Sequence, residues 1–145
     1  MAKAFGIVNF AGNHIRVEGM QEYRPVGAFS FLGRYRVIDF PISNMSNSGI
    51  DHIQVYIRRN PQSLTAHLGT GRHYNINSKS GNLQILYSGL GMNMSLYNND
   101  IASYIENLEY IEQELAEYVV IAPSYMVYKQ DNKKLLNDHI ESGAD

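Results

Sequence analysis

The sequence predicts an α/β fold, Rossmann-like, with a mainly parallel sheet. Apolar runs of strand length alternate along the chain with segments whose apolar residues recur at helical spacing. This alternation is typical of parallel strands joined by crossover helices. A chain of 145 residues with 44% hydrophobic content is long enough for one compact domain with its own core.

The predicted strands cover residues 5–10, 52–57, 83–86 and 118–122. The clearest helix runs over residues 100–115, with Asn99 or Asp100 as its N-cap. Its apolar positions are Ile101, Ile105, Leu108, Ile111 and Leu115. Shorter helices are predicted at 41–48, 63–68 and 132–142, and the segment 69–94 is predicted to be largely surface loop.

Charge and composition exclude several classes of function. A net charge of −2, a pI near 6.2 and scattered cations give no basic surface for nucleic acid or an anionic membrane. The absence of cysteine excludes disulfides and thiolate metal sites, and the first residues lack a signal-peptide pattern. The sequence therefore predicts a cytoplasmic protein.

The alternation of strands and helices stops after the helix at 132–142, where the pattern requires another strand. We expect the chain to be the first part of a larger domain. A complete small α/β domain is the alternative.

The most informative stretch is RYRVIDFPISNMSNSGIDHIQVYI, residues 34–57. It resembles the sugar-nucleotide pyrophosphorylases, and among them the ADP-glucose pyrophosphorylases, whose segment reads FGG-[KR]-[YF]-RIIDFPLSN-x₂-NSGI. The similarity continues through SLTAHLGTG and AEYVVIAPSYMVYKQD, where the family reads AEYVVILAGDHIYKQD. The resemblance implies that residues 1–145 form the N-terminal portion of a nucleotidyltransferase-like domain, followed in the full-length protein by the rest of that domain and a β-helical domain.

The resemblance also implies a reaction. Members of the family make ADP-glucose and pyrophosphate from ATP and glucose-1-phosphate, and catalysis consists of positioning and charge neutralisation. Three devices supply these: a glycine-rich loop after the first strand, a cation on the pyrophosphate, and aspartates that hold Mg²⁺.

The glycine-rich loop of the family, GGxGTRL, corresponds here to AGNHIRV, residues 11–17. Gly12 and Arg16 are kept and are weak candidates for phosphate or nucleotide binding. Ala11 and His14 stand where the family has glycine, and both carry side chains where backbone must approach phosphate closely.

The other two devices are changed as well. The lysine of the family's AKPA corresponds to Val26, and the metal-binding aspartate of its AGDHIY corresponds to Tyr125. The family's GTAD segment becomes residues 99–102. We therefore predict no catalytic residue, no metal site and no bound cofactor in this chain, although Mg²⁺ is expected for active members of the family.

A kept framework with lost catalytic groups resembles the noncatalytic subunit of the two-subunit bacterial ADP-glucose pyrophosphorylases. The resemblance implies a regulatory subunit in glycogen biosynthesis, bound to a catalytic subunit in a hetero-oligomer that we expect to be a tetramer. Two alternatives stay open: an active adenylyltransferase with altered ligands, and a sugar-nucleotide or phosphate-binding module without catalysis.

One group of charged residues suggests an effector site. Arg34 matches a family lysine linked to binding of anionic activators, and Arg36 and Asp39 are its neighbours in RYRVIDF. A sugar phosphate is the expected effector, and an interdomain salt bridge is the alternative. The histidines have no metal-ligand spacing, and the glutamates of the segment 106–117 are predicted to form a solvated helix face.

Overall fold

A computed structural model describes residues 3–10, 17–20, 24–58, 61–69, 71–88 and 100–145 of the chain. The described residues form six strands and five α-helices. In chain order these are β1 (Ala4–Asn9), β2 (Ser30–Phe31), β3 (Tyr35–Arg36), α1 (Asp39–Asn47), β4 (His52–Ile57), α2 (Pro61–Leu68), β5 (Asn82–Tyr87), α3 (Asp100–Glu106), α4 (Leu108–Glu112), β6 (Tyr118–Pro123) and α5 (Asn132–Ser142).

The main sheet has four parallel strands in the order β5-β4-β1-β6. Gly6 of β1, for example, pairs with Ile53 on one side and Val120 on the other. This arrangement confirms the predicted α/β class and all four predicted strands. The antiparallel pair β2–β3 was not predicted, because strands of two residues are too short to show an alternating pattern.

The central strands β1 and β4 are buried on both faces, whereas Val119 and Ile121 on one face of β6 are exposed. One face packs against α1 and α2, and Gly6 makes the close approach possible, because a Cβ there would lie 2.4 Å from the sulfur of Met45. The other face packs Phe5, Ile7 and Tyr56 against the segment that holds α3 and α4. Burial on both faces explains why the strands read as nearly continuous apolar runs.

The predicted shorter helices are present as α1, α2 and α5. The last is the best defined by its ends: the Asp131 side chain caps it by accepting a hydrogen bond from the Lys134 amide at 3.0 Å, and Gly143 ends it with a φ of 67°. In the described part of the chain, no helix combines the length and apolarity needed to cross a membrane.

The single long helix predicted for residues 100–115 is wrong. The segment forms two short helices, α3 and α4, which are separated at Asn107. Asn107 is buried, with a φ of −109°, and its side-chain nitrogen Nδ2 donates to the Ser103 carbonyl oxygen at 3.0 Å and to Ser88 Oγ at 3.3 Å. A buried amide that needs these partners interrupts the helix where sequence periodicity indicated none.

Most of the apolar stripe of that predicted helix faces outward, and Ile111 is its exception. The exposed members are Ile101, Ile105, Leu108 and Leu115, whose exposed fractions are 63%, 67%, 48% and 82%. The solvated face predicted for the glutamates is also wrong at Glu114, which is largely buried and contacts His52 Nδ1 at 3.1 Å. The side chains of this segment that pack inward are Ser103 and Tyr104, which do not belong to the predicted stripe, together with Ile111, which does.

Candidate functional site

The candidate site lies at the carboxyl edge of the sheet, where β1 and β6 end side by side. Asn9 pairs with Pro123, and the Ser124 amide donates to the Asn9 carbonyl oxygen at 2.9 Å. In the main sheet, the strands that follow β1, namely β4 and β5, lie on one side of β1, and β6 lies on its other side. Ligands of open α/β sheets bind outside the carboxyl ends of strands at such a switch point.

The end of β6 carries hydroxyl groups and no carboxylate. Ser124 is buried, with an exposed fraction of 5%, and Tyr125 beside it is half-buried. Tyr125 is the position that the resemblance assigns to the Mg²⁺ aspartate. A neutral phenol does not offer the anionic oxygen that Mg²⁺ uses at nucleotide sites.

Val26 stands at the position where the resemblance implies a phosphate-binding lysine, and this position is buried. Val26 begins a 3₁₀ turn, Val26–Ala28, and its exposed fraction is 7%. The turn presses against the end of β6, since a Cβ at Gly27 would lie 3.1 Å from the Ser124 carbonyl oxygen. A buried valine therefore occupies this position next to the candidate site.

The remaining residues of the predicted phosphate loop are Ala11, Gly12, His14 and Arg16. All four lie outside the described residues. The prediction of a weak phosphate site at Gly12 and Arg16 stays a prediction.

A hydrogen-bonded trio holds α3 against the end of β1. Asn9 Nδ2 donates to Asp100 Oδ2 at 3.1 Å, and the Tyr104 hydroxyl donates to Asn9 Oδ1 at 2.7 Å. Burial raises the pKa of the Tyr104 phenol, and the negative charge of Asp100 raises it further. Asp100 thus brings a carboxylate to the carboxyl edge from a helix rather than from β6.

A cation also reaches this edge. Arg58 directly follows β4, and its guanidinium carbon lies 5.7 Å from the centre of the Phe10 ring, which directly follows β1. The sequence analysis missed both Arg58 and Asp100 as site residues. The available signal was their position, since each stands at the end of a predicted strand or the start of a predicted helix on the ligand-binding edge.

A separate cavity of about 360 Å³ contains two of the predicted effector residues. It lies between β3, α1, α2 and the 3₁₀ turn Arg72–Tyr74. Its lining residues are Arg34, Tyr35, Asp39, Ser43, His67, His73 and Tyr74. The structure thus brings Arg34 together with two histidines that sequence spacing did not connect, because they lie six positions apart on different elements.

Asp39 is the structural centre of this cavity. Its Oδ1 lies 2.6 Å from His67 Nε2 and accepts a hydrogen bond from the Tyr74 hydroxyl at 2.6 Å, while Oδ2 accepts from the Arg36 amide at 2.8 Å. Burial, together with the hydrogen bond to Asp39 and its negative charge, raises the pKa of Tyr74 well above its usual range.

Arg36 and Arg34 have different surroundings. The guanidinium of Arg36 donates to the Ala28 carbonyl oxygen and so holds the 3₁₀ turn Val26–Ala28 against β3. Arg34 is exposed, and its guanidinium carbon lies 5.8 Å from the centre of the Tyr35 ring. Of the three predicted effector residues, Arg34 is therefore the one on the accessible side of the cavity.

The side chains described at the carboxyl edge do not fit the metal site of an active nucleotidyltransferase. The residues in the described ranges contain no group of three or more histidine and carboxylate side chains that could hold a metal ion. Asp100 is the carboxylate at this edge, and one of its oxygens already accepts from Asn9.

The chain belongs to the nucleotidyl transferase family, whose model matches residues 16–145. This confirms the family that the sequence analysis identified. The fold agrees: a crystal structure of a Bacillus anthracis protein described as a glucose-1-phosphate thymidylyltransferase superimposes with a TM-score of 0.69 at 13% identity, covering 95% of this chain and 50% of that one.

Curated relatives are more similar in sequence. A glucose-1-phosphate adenylyltransferase of Bacillus subtilis is 35% identical over an alignment of 136 positions, which covers 92% of this chain and 36% of that protein. The glycogen biosynthesis protein GlgD of Geobacillus stearothermophilus is 32% identical over an alignment of 149 positions, which covers 99% of this chain and 42% of that protein. The chain thus spans about two fifths or less of the length of these relatives.

Proposed function

We propose that the protein is a regulatory, catalytically degenerate subunit of ADP-glucose pyrophosphorylase that acts in glycogen biosynthesis. The observation that carries the proposal is the end of β6, where Ser124 and Tyr125 stand in place of a carboxylate. The buried Val26 beside it, where the family has a lysine, gives further support. The similarity to GlgD and to glucose-1-phosphate adenylyltransferases is consistent with this assignment.

The energetic argument is that phosphoryl transfer depends on charge neutralisation. A metal ligand and a phosphate cation each contribute about 10²-fold or more in rate, and such groups act as a unit. A chain that lacks both the metal ligand and the phosphate cation at the expected positions is expected to be a poor catalyst. Its proposed role is therefore to bind and regulate a catalytic partner. The proposed partner is a catalytic ADP-glucose pyrophosphorylase subunit in a hetero-oligomer.

The direct test is an assay of the purified full-length protein with ATP, glucose-1-phosphate and Mg²⁺. We expect no ADP-glucose above background, under conditions in which the Bacillus subtilis relative serves as the active control. Turnover comparable to that of the control, from a preparation free of any partner subunit, would refute the proposal.

One observation favours a second candidate, an active adenylyltransferase with altered ligands. Asp100 places a carboxylate at the end of β1, hydrogen bonded to Asn9. If the protein turned over substrate, Asp100→Asn would abolish that activity, whereas Asp138→Asn, on the exposed surface of α5, would not. Equal activity in both variants would exclude Asp100 as the altered ligand, and absence of turnover in the unchanged protein would remove the candidate.

The cavity around Arg34 is the proposed effector site, and a sugar phosphate is the proposed effector. Arg34 supplies a permanent cation, and His67 and His73 supply ring nitrogens within the same cavity. Asp39 and Arg36 maintain the cavity through the internal hydrogen bonds described above.

The effector site can be tested on the partner complex with fructose-1,6-bisphosphate and fructose-6-phosphate as probes. We expect Arg34→Gln to weaken the response to the effective probe, and Arg72→Gln, a neighbouring exposed cation, to leave it unchanged. Equal responses in the two variants would contradict the assignment.

A further inference from the structure

The outer surface of α3 and α4 exposes three large apolar side chains in a row. Ile101 and Ile105 lie one helical turn apart on α3, and Leu108 follows at the start of α4. Leu108 is the least exposed of the three, with an exposed fraction of 48%. Single exposed apolar residues are ordinary on protein surfaces, whereas several together mark a surface that another molecule covers.

The break between the two helices keeps this row on one side. The backbone amide of Asn107 donates to the Ser103 carbonyl oxygen at 3.2 Å, and the Tyr110 amide donates to the Asn107 carbonyl oxygen at 3.0 Å. The first of these bonds has the spacing of an α-helix, and the second that of a 3₁₀ turn, so the chain keeps turning in the helical sense. Ser103 and Asn107 are both buried, and the row lies on the side away from them.

The same segment is strongly acidic. Between residues 100 and 118 the sequence contains no lysine, arginine or histidine. Its carboxylates are Asp100, Glu106, Glu109, Glu112, Glu114 and Glu117. Asp100 accepts a hydrogen bond from Asn9, and Glu114 contacts His52, so these two act within the protein. The other four are exposed.

Two of the exposed glutamates border the apolar row. Residues four apart are neighbours on a helix surface, so Glu109 lies beside Ile105, and Glu112 lies one turn beyond Leu108. We call the surface formed by these residues and Ile101 the α3–α4 face. It combines an apolar centre with a negatively charged border.

The charge of the α3–α4 face discriminates between possible occupants. Two copies of the same face would bring glutamates against glutamates, and like charges across an interface are unfavourable. A complementary surface has apolar side chains at its centre and lysine or arginine around them. The α3–α4 face therefore fits the surface of a different protein better than it fits itself.

We infer that the α3–α4 face is the surface by which the protein docks on its catalytic partner, against a patch of the partner in which apolar side chains are bordered by lysine or arginine. This assignment rests on the proposed regulatory function and adds the docking surface to it. The Arg34 cavity stays open in such a complex, because it lies beside α1 and α2, on the opposite side of the sheet from α3 and α4.

The test is isothermal titration of the full-length protein into the purified catalytic subunit at low and at high salt. We expect a complex whose affinity falls as ionic strength rises. Ile105→Ser should weaken the complex by about tenfold or more, because it removes an apolar side chain from the centre of the interface. Leu32→Ser, in the turn between β2 and β3, is the matched control, since Leu32 has an exposed fraction of 79% and should not contribute.

A charge variant tests the acidic border. Glu109→Lys should weaken the complex and reduce its dependence on salt, because it places a cation opposite the cations expected on the partner. Glu141→Lys, at an exposed position on α5, should leave both unchanged. Circular dichroism and thermal unfolding should be the same for all four variants and the wild type in the absence of the partner.

Three results would overturn the inference and leave the proposed regulatory function in place. The first is a complex whose affinity is unchanged in both Ile105→Ser and Glu109→Lys. The second is a large loss of stability in full-length Ile105→Ser alone, which would show that another part of the chain covers the face. The third is self-association of the wild type that Ile105→Ser abolishes, which would make a second copy the occupant.

A fourth result is absence of any complex between the wild type and the catalytic subunit at micromolar concentration. That result would refute the docking surface and the proposed regulatory function together.

Discussion

At the scale of single residues, the end of β6 is where a repair of catalysis would first be attempted. Tyr125 is half-buried and follows a buried serine whose amide is bound to β1. A carboxylate introduced there would have no cation from Val26, whose side chain is buried against neighbouring turns. Restoring one group of a cooperative set restores little of the rate.

Tyr125→Asp alone is therefore expected to give no ADP-glucose synthesis in an assay of pyrophosphate release with Mg²⁺. Tyr125→Phe is the matched control, because it removes the hydroxyl without adding charge. Strong Mg²⁺-dependent turnover in the aspartate variant would mean that the rest of the site is intact.

The buried phenols of Tyr56 and Tyr74 lead us to expect a lower free energy of unfolding at alkaline pH. Burial raises the pKa of Tyr56 and of Tyr74 from the ordinary value of 10.0, and the hydrogen bond to Asp39 raises that of Tyr74 further. The folded state thus keeps phenols protonated that the unfolded chain ionises. This stability is complete below the ordinary phenol pKa and falls as the pH rises above it.

Urea unfolding at about pH 8 and about pH 11 should show this decrease. Tyr74→Phe should have a lower free energy of unfolding at about pH 8, because Asp39 loses a hydrogen-bond partner. Between the two pH values its free energy of unfolding should fall less steeply than that of the wild type, and the difference in slope should be up to about 1.4 kcal/mol per pH unit. Tyr87→Phe, at an exposed position, should keep the wild-type slope. If the free energy of unfolding had the same pH dependence in all three proteins, ionisation of Tyr74 would not be the cause of the loss of stability in alkali.

At the scale of elements, α5 is the helix whose stability is most local. Its inward contacts are few, since Asn132 and Leu136 are its buried residues, and its start depends on the Asp131 cap. Capping groups of this kind satisfy amides that have no partner within the helix.

Asp131→Ala should lower the free energy of unfolding by about 1 kcal/mol in a denaturant titration. Asp138→Ala, which breaks the exposed pair with Lys134 on the same helix, should have a clearly smaller effect. An equal loss in the two variants would show that the cap is not what stabilises the start of α5.

At the scale of the whole molecule, the proposed regulatory function predicts an effect on another protein. Bound to a catalytic subunit, the full-length protein should raise its kcat or its substrate affinity by favouring the competent conformation. The coupling should lie at about 1–3 kcal/mol, or about 5–150-fold.

Co-expression, co-purification and assay of the pair against the catalytic subunit alone measure this coupling. The Arg34→Gln variant of this protein should bind the partner normally and transmit less of the effector response. Identical kinetics with and without the protein, or no complex at micromolar concentration, would favour the binding-module alternative.

The sequence by itself determined the α/β class, the four parallel strands and the family, because long buried strands and a framework motif leave local patterns. The change of family residues at Val26 and Tyr125 stays a prediction, which rests on the resemblance along one stretch of chain. The helix predicted from periodicity at residues 100–115 was wrong. The buried hydrogen bonds of the Asn107 side chain interrupt it, and the spacing of apolar residues such as Ile101 and Leu108 does not show them.

Only the tertiary structure decided which distant residues meet. Asp39 joins His67 and Tyr74 across gaps of 28 and 35 residues, and Arg58 reaches Phe10 from a neighbouring strand. Such contacts depend on strand order and on the packing of helices over the sheet, and a one-dimensional pattern carries neither. The cavity beside Arg34 and the cation at the carboxyl edge are therefore properties of the fold rather than of any motif.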